Sequence, residues 1–142
     1  MDAGCGNGEY THLLTKNGIS VTGCDGSKEM LNIAKSNYPN YQFDHVNLLE
    51  NIPYRSNEFD IVFCNLVLMD IDPIDTLINE IYRVIKINGL FFFSIVHPAF
   101  YLADWEKDEE GIVRSKKVKI YITPCIEKQA IWGVTTHYHR PI

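Results

Sequence analysis

The chain has 142 residues, one domain's worth, and its 46% apolar and 22% charged residues exclude a disordered or fibrous polypeptide. A formal net charge of −5 and a pI near 5.5 argue against a protein that neutralises nucleic-acid phosphates, which needs a basic excess or a basic stripe. No apolar run approaches the ~18 residues of a membrane span, and the start Met1-Asp2-Ala3-Gly4-Cys5-Gly6 has neither a basic nor an apolar signal region, so neither membrane nor export is expected. Cys5, Cys24, Cys64 and Cys125 lie far apart with no Cys-x-x-Cys pair, the pattern of free thiols in a reducing, cytoplasmic setting.

Gly, Pro and Asn divide the chain into alternating strand and helix patterns. Asp2 and Ala3 lead into a glycine turn from Gly4 to Gly8. Tyr10, Leu13 and Leu14 then repeat at helical spacing until Asn17-Gly18 stops the helix. Ile19 to Cys24 is a β-branched strand ended by Asp25-Gly26-Ser27. Ser27 suits an N-cap, and Met30, Leu31 and Ala34 give the next helix a buried stripe. Tyr41 to Val46 is a third strand, followed by a polar loop holding Pro53. Phe59 to Leu68 is nearly continuous apolar sequence, as in a strand covered on both faces. After Asp72-Pro73, the residues Ile74, Leu77, Ile78, Ile81, Tyr82 and Ile85 keep helical spacing, which predicts a helix closed by Asn88-Gly89. Leu90 to Val96 is a fifth strand, predicted as buried.

Strands alternating with helices in this way predict an α/β fold with a mostly parallel sheet, flanking helices and right-handed crossovers. Past His97-Pro98 the pattern changes. Asp104 to Glu110 is a polar, acidic tip, and Val118 to Tyr121, Ile126 to Ile131 and Val134 to Tyr138 alternate with period two. A β-meander is expected there, so that residues 1–98 form the core and residues 99–142 a β-rich extension of the same domain.

The informative segment is Asp2-Ala3-Gly4-Cys5-Gly6-Asn7-Gly8. It joins a strand end to a helix start, where backbone N–H groups and the helix dipole receive an anionic or polar ligand group. Asp25, at the end of the next strand, follows at about the 20-residue interval of a ribose-binding carboxylate. A dinucleotide fingerprint puts its third glycine one position later, where this chain has Glu9. An acidic side chain beside a pyrophosphate is unfavourable. S-adenosylmethionine has no phosphate but carries a sulfonium cation and an amino-acid tail, so nearby carboxylates favour it. The residues alone leave another nucleotide binder of the same architecture open.

The order Asp-x-Gly-x-Gly-x-Gly, Asp25, Asn47-Leu48-Leu49 and Glu58-Phe59-Asp60-Ile61-Val62 resembles the class I S-adenosylmethionine-dependent methyltransferases. It is most similar to the small-molecule branch called the type 11 methyltransferase domain, over roughly residues 1–98. The resemblance implies a Rossmann-like sheet, S-adenosyl-L-methionine as cofactor and a small-molecule methyl acceptor. It implies that Gly4, Cys5, Gly6 and Gly8 line the methionine tail, with Asp2 beside its ammonium group. Asp25 would accept both ribose hydroxyls, and Gly26, Ser27 and Met30 would flank ribose and adenine. Asn47, where many relatives have Asp, and Leu48 would meet the adenine edge. Asn65, Leu66 and Val67 would lie near the transferable methyl.

Methyl transfer from a sulfonium is an in-line displacement in which alignment does most of the work. A general base is needed only for an acceptor that must lose a proton. His97, just after the fifth strand, is the candidate catalytic residue, with His137 and His139 as other choices; the ordinary reading of each is a polar side chain at a rim. His137 and His139 alternate onto one strand face, but no third ligand at a familiar spacing supports a metal site. Asn65-Leu66-Val67-Leu68 is not the Asn/Asp-Pro-Pro-aromatic run of nucleic-acid amino methyltransferases. The basic cluster of Arg114, Lys116, Lys117 and Lys119 reads as a solvated strand face.

The family's sheet has seven strands in the order 3-2-1-4-5-7-6, against which this chain is expected to be truncated at both ends, with a stub of strand 1 and no strands 6 and 7. Strand 5, with Phe91-Phe92-Phe93, is then an apolar edge, to be covered by the meander or by a second copy in a homodimer. A non-catalytic, truncated S-adenosylmethionine-binding subunit or fragment is the alternative function.

Overall fold

In the computed structural model the glycine turn leaves the carboxyl end of a short central strand, β1 (Asp2–Ala3). The structure describes residues 1–97, 104–117, 126–131 and 134–139 and falls into two units, Met1–Ser94 and Ile95–Ile142. In the first unit β1 is followed by α1 (Glu9–Lys16), β2 (Thr22–Asp25), α2 (Lys28–Asn37), β3 (Gln42–His45), β4 (Phe59–Asn65), α3 (Asp75–Val84) and β5 (Ile85–Ser94). The five strands form one parallel sheet in the order β3-β2-β1-β4-β5, so the chain reverses direction of growth at β1. Such a reversal opens a crevice at the carboxyl ends of the strands. This is the α/β, Rossmann-like architecture expected from the alternation of patterns.

The helix signals act as anticipated. Ser27 Oγ accepts from Met30 N at 3.2 Å and caps α2. Gly18, in the left-handed region at φ +86°, follows the end of α1. Ala3, Cys24, Val62 and Cys64 from the sheet pack with Leu77, Ile81 and Val84 of α3 in the main core. A second cluster of Cys5, Leu31, Ala34 and Phe43 lies between α2 and the turn.

One ion pair organises the loop after β3. Glu80 and Arg83, one turn apart on α3, meet at 2.6 Å. Glu80 Oε2 accepts from Ile52 N at 2.8 Å, and Arg83 donates to Ile52 O at 2.9 Å and Tyr54 O at 2.7 Å. The loop's backbone groups are thus satisfied by side chains of α3 rather than by a strand.

Two expectations need correction. The helix predicted to run to Asn88-Gly89 ends at Val84, because Ile85 pairs with Phe59 of β4. Asn57 N and Glu58 N take the carbonyls of Arg83 and Val84 at 2.9 and 2.8 Å, drawing the last turn into the sheet. Asn88, at φ +66°, then makes the tight bend beside Gly89. The fifth strand is not buried on both faces: β5 ends the sheet, and Phe92 and Phe93 remain 53% and 55% exposed.

Among its described residues the second unit has two antiparallel strand pairs, β6 (Asp104–Lys107) with β7 (Val113–Lys117), and β8 (Ile126–Ile131) with β9 (Val134–His139). The acidic tip is therefore partly strand. Asp108 Oδ1 accepts from Glu110 N and Ile112 N, and Gly111 at φ +80° completes the turn. β8 and β9 match the predicted alternation, whereas the predicted strand at 118–121 lies outside the described residues. No helix among the described residues is long and apolar enough to cross a membrane.

Candidate functional site

The turn after β1 is built against its neighbours before any ligand is considered. Gly4 N and Cys5 N both donate to Cys24 O, at 2.8 and 2.9 Å, which anchors the turn to the end of β2. Gly4, Gly6 and Gly8 all have positive φ, at +75°, +53° and +82°. A methyl placed on Gly4 would lie 2.3 Å from Val67 Cγ2, so the segment after β4 closes directly over the turn. One placed on Gly6 would lie 3.4 Å from Met30 Cε. A side chain is thus excluded by contact at Gly4 and disfavoured by the left-handed backbone at Gly6.

Asp25 is the hub of this arrangement. Its Oδ2 accepts from Gly6 N and its Oδ1 from Ser27 N, both at 2.8 Å, while Asp25 O accepts from Val46 N at 3.0 Å. Each carboxylate oxygen retains a further lone pair, giving two adjacent acceptors spaced for a vicinal diol. Gly26 O meets His45 Nε2 at 3.0 Å, which steadies the turn into α2.

Asp2 lies beneath the turn, almost wholly buried, and accepts from Thr11 Oγ1 at 2.6 Å. Burial raises its carboxyl above the usual range, and the Thr11 hydrogen bond draws it part of the way back. Burial, with Asp2 and Asp25 nearby, pushes the Cys5 thiol well up, so Cys5 serves as a small neutral packing group. No Lys or Arg occurs from Met1 to Leu14, so the turn carries acidic side chains and no basic ones. That charge set disfavours a pyrophosphate and suits a ligand with a cationic centre.

The remaining candidates differ in placement. Asn47 uses its amide on its own loop, accepting from Leu49 N at 3.1 Å and donating to Glu50 Oε1 at 2.7 Å. Leu48 is buried in the main core. Asn65 ends β4, and Leu66, exposed and at φ +57°, links it to Val67. Leu66 N donates to both Ser94 O and Ser94 Oγ at 3.1 Å. His97 is exposed just beyond β5, in the second unit. His137 and His139 lie in β9. Hydrogen bonds and close approaches therefore join Gly4, Gly6, Asp25, Ser27, Met30 and Val67 into one constellation.

Thr11 and Ser94 were not singled out from sequence. Each had a signal: Thr11 is a short polar residue on the inward face of α1, and Ser94 interrupts the apolar run of β5.

Comparison with known proteins agrees with this geometry. A family described as a methyltransferase domain matches residues 1–93. An uncharacterized methyltransferase of Synechocystis sp. is 32% identical over 99 residues, covering 68% of this chain and 46% of that protein. The malonyl-[acyl-carrier protein] O-methyltransferase of Buchnera aphidicola is 35% identical over 102 residues, covering 71% and 41%. The chain thus spans less than half the length of these curated relatives. The crystal structure of an S-adenosylmethionine-dependent methyltransferase from Mesorhizobium loti superposes with a TM-score of 0.79 at 26% identity, covering 96% of this chain and 65% of that one.

Proposed function

The chain belongs to the methyltransferase-domain family, and from that premise we propose that it binds S-adenosyl-L-methionine at the glycine turn and transfers its methyl group to a small molecule. The observation that carries this reading is Asp25, whose two oxygens are oriented by Gly6 N and Ser27 N beside a turn flanked in sequence by Asp2 and Glu9, with no Lys or Arg from Met1 to Leu14.

The residues present fit the cofactor. Asp25 would accept both ribose hydroxyls with its remaining lone pairs. The backbone of Gly4, Cys5, Gly6 and Gly8 would line the amino-acid tail, with Asp2 opposing its ammonium group. Gly26, Ser27 and Met30 would flank the ribose and adenine, and Asn47 and Leu48 the adenine edge. Asn65 and Leu66 would border the reacting centre. When bound, the cofactor supplies a methyl already activated by a sulfonium. The chain's task is then alignment and exclusion of water, which can lower a barrier by several kcal/mol without a catalytic side chain. For an acceptor that must lose a proton, His97 is the proposed base. Residues 99–142 are proposed as a β-rich lid or a substrate-side extension of the same domain as residues 1–98.

A small, non-nucleic-acid acceptor is supported by the net charge of −5, and oxygen is the first acceptor atom to try, given the O-methyltransferase named among the relatives. The buried thiols of Cys5, Cys24 and Cys64 suit a reducing cytoplasm. The exposed edge of β5 offers a surface for a second copy. A non-catalytic S-adenosylmethionine-binding subunit is the second reading, since the glycine turn and Asp25 account for cofactor binding without any catalytic side chain.

The test is release of S-adenosylhomocysteine from S-adenosylmethionine with a set of acyl-thioester carboxylates and phenols as acceptors. Turnover with one of these classes, lost in Asp25→Ala, is the expected result. Cofactor binding with no turnover across the set would favour the second reading.

A further inference from the structure

The left-handed Leu66 is the unusual backbone feature of the site. A γ-branched residue at φ +57° is held there only if its surroundings demand it. The demand comes from Ser94, the last residue of β5. Ser94 Oγ accepts from Leu66 N at 3.1 Å and donates to Asn65 Oδ1 at 2.5 Å. Ser94 O also accepts from Leu66 N at 3.1 Å, so the Ser94 side chain reinforces a main-chain bond at Leu66 and ties it to Asn65. The residue after this bend is Val67, whose methyl groups stand where a side chain on Gly4 would be.

We propose that Ser94 is a positioning residue for the cofactor cleft: by bridging Leu66 N and Asn65 Oδ1 it holds Leu66 in the left-handed bend and so keeps Val67 against Gly4, forming the wall of the slot for the cofactor's amino-acid tail. This rests on reading the cleft as an S-adenosylmethionine site. It assigns a role to a residue whose hydrogen bonds go to Asn65 and Leu66, one step removed from the glycine turn and Asp25. It also locates that role on the tail side of the ligand and leaves the nucleoside side to Asp25.

The experiment compares dissociation constants of S-adenosylhomocysteine, which has the tail, and adenosine, which lacks it, for wild type, Ser94→Ala, Ser94→Thr, Leu66→Gly and Ser94→Ala/Leu66→Gly. A single net hydrogen bond corresponds to about fivefold in an equilibrium constant. Ser94→Ala is therefore expected to weaken S-adenosylhomocysteine about fivefold and to change adenosine by less than about twofold. Ser94→Thr, which keeps the hydroxyl, should bind as wild type. In the Leu66→Gly background the alanine substitution should lose most of its effect, because glycine adopts the left-handed bend unaided. Equal weakening of both ligands would mean a merely structural role and overturn the proposal, as would unchanged affinity for S-adenosylhomocysteine in Ser94→Ala. If folded wild type binds neither ligand, the reading of the cleft itself fails, and that failure is visible before any variant is compared.

Discussion

Replacing Gly4 with alanine separates two costs that the structure predicts to be distinct. Gly4 has φ +75°, and an added methyl would sit 2.3 Å from Val67 Cγ2 and 3.0 Å from Val67 Cγ1. Gly18 is the matched control: its φ is +86°, but an added methyl meets nothing within 4 Å. Gly18→Ala should therefore cost only the left-handed penalty, about 1 kcal/mol. Gly4→Ala should add an overpacking term of about 1–3 kcal/mol, for a total of about 2–4 kcal/mol. At about 4 °C per kcal/mol for a domain of this size, the melting temperature should fall by roughly 8–16 °C for Gly4→Ala and by about 4 °C for Gly18→Ala. Val67→Ala removes both clashing carbons and leaves Val67 Cβ at 3.2 Å. In that background the cost of Gly4→Ala should shrink toward that of Gly18→Ala, and urea unfolding of the four-variant cycle measures the difference as a coupling energy. Equal costs at Gly4 and Gly18, or a Gly4 cost that does not change with Val67→Ala, would refute the close approach of the two segments.

Three further outcomes follow from the same contacts. Glu80→Ala leaves the Arg83 guanidinium and Ile52 N without their carboxylate and should destabilise by about 2–3 kcal/mol at neutral pH, discounted for the partial exposure of Arg83. Arg83 holds the Glu80 carboxyl below its ordinary value, so this contribution is present above the unfolded carboxylate range and lost as pH falls through the folded value. Urea midpoints of the variant and wild type should converge as the pH is lowered through the Glu80 titration. Asp2 is shifted the other way by burial, so its ionisation opposes folding as pH rises through its raised value. Asp2→Asn, which can still accept from Thr11, should be at least as stable as wild type at pH 7 but bind S-adenosylmethionine at least tenfold more weakly, as loss of a charged hydrogen bond of about 1.5 kcal/mol implies. Calorimetric melts paired with titrations check both halves. Burial pushes the Cys24 and Cys64 thiols up to about 12, so neither should alkylate with iodoacetamide at pH 8 until urea unfolds the chain, as peptide mass mapping would show.

The parts of the fold legible in the sequence are those where a local signal and the tertiary environment agree. Ser27 is both a good N-cap and the actual cap of α2, and Asp25 ends a strand where its neighbours require a carboxylate. The end of α3 was not legible, because Ile85 continues the helical stripe and also suits a strand; its pairing with Phe59 decides. β6 is not legible because Asp104–Lys107 lacks apolar alternation, and the turn at Asp108 and Gly111 pairs it with β7, whose basic residues read as a solvated strand face. In the site, the glycine turn and Asp25 announce themselves by residue type. Ser94 does not, since its importance lies in a contact across 28 residues to Leu66.

The central claim, that Asp25 and the glycine turn form an S-adenosylmethionine site, is tested most directly by isothermal titration with S-adenosylhomocysteine. Wild type should bind one equivalent. Asp25→Ala, shown to be folded by circular dichroism, should bind at least tenfold more weakly, since hydrogen bonds to a charged group are worth about 1.5–3 kcal/mol each. NAD should give no saturable heat. An Asp25→Ala affinity equal to wild type, or NAD binding as tightly as S-adenosylhomocysteine, would contradict the account.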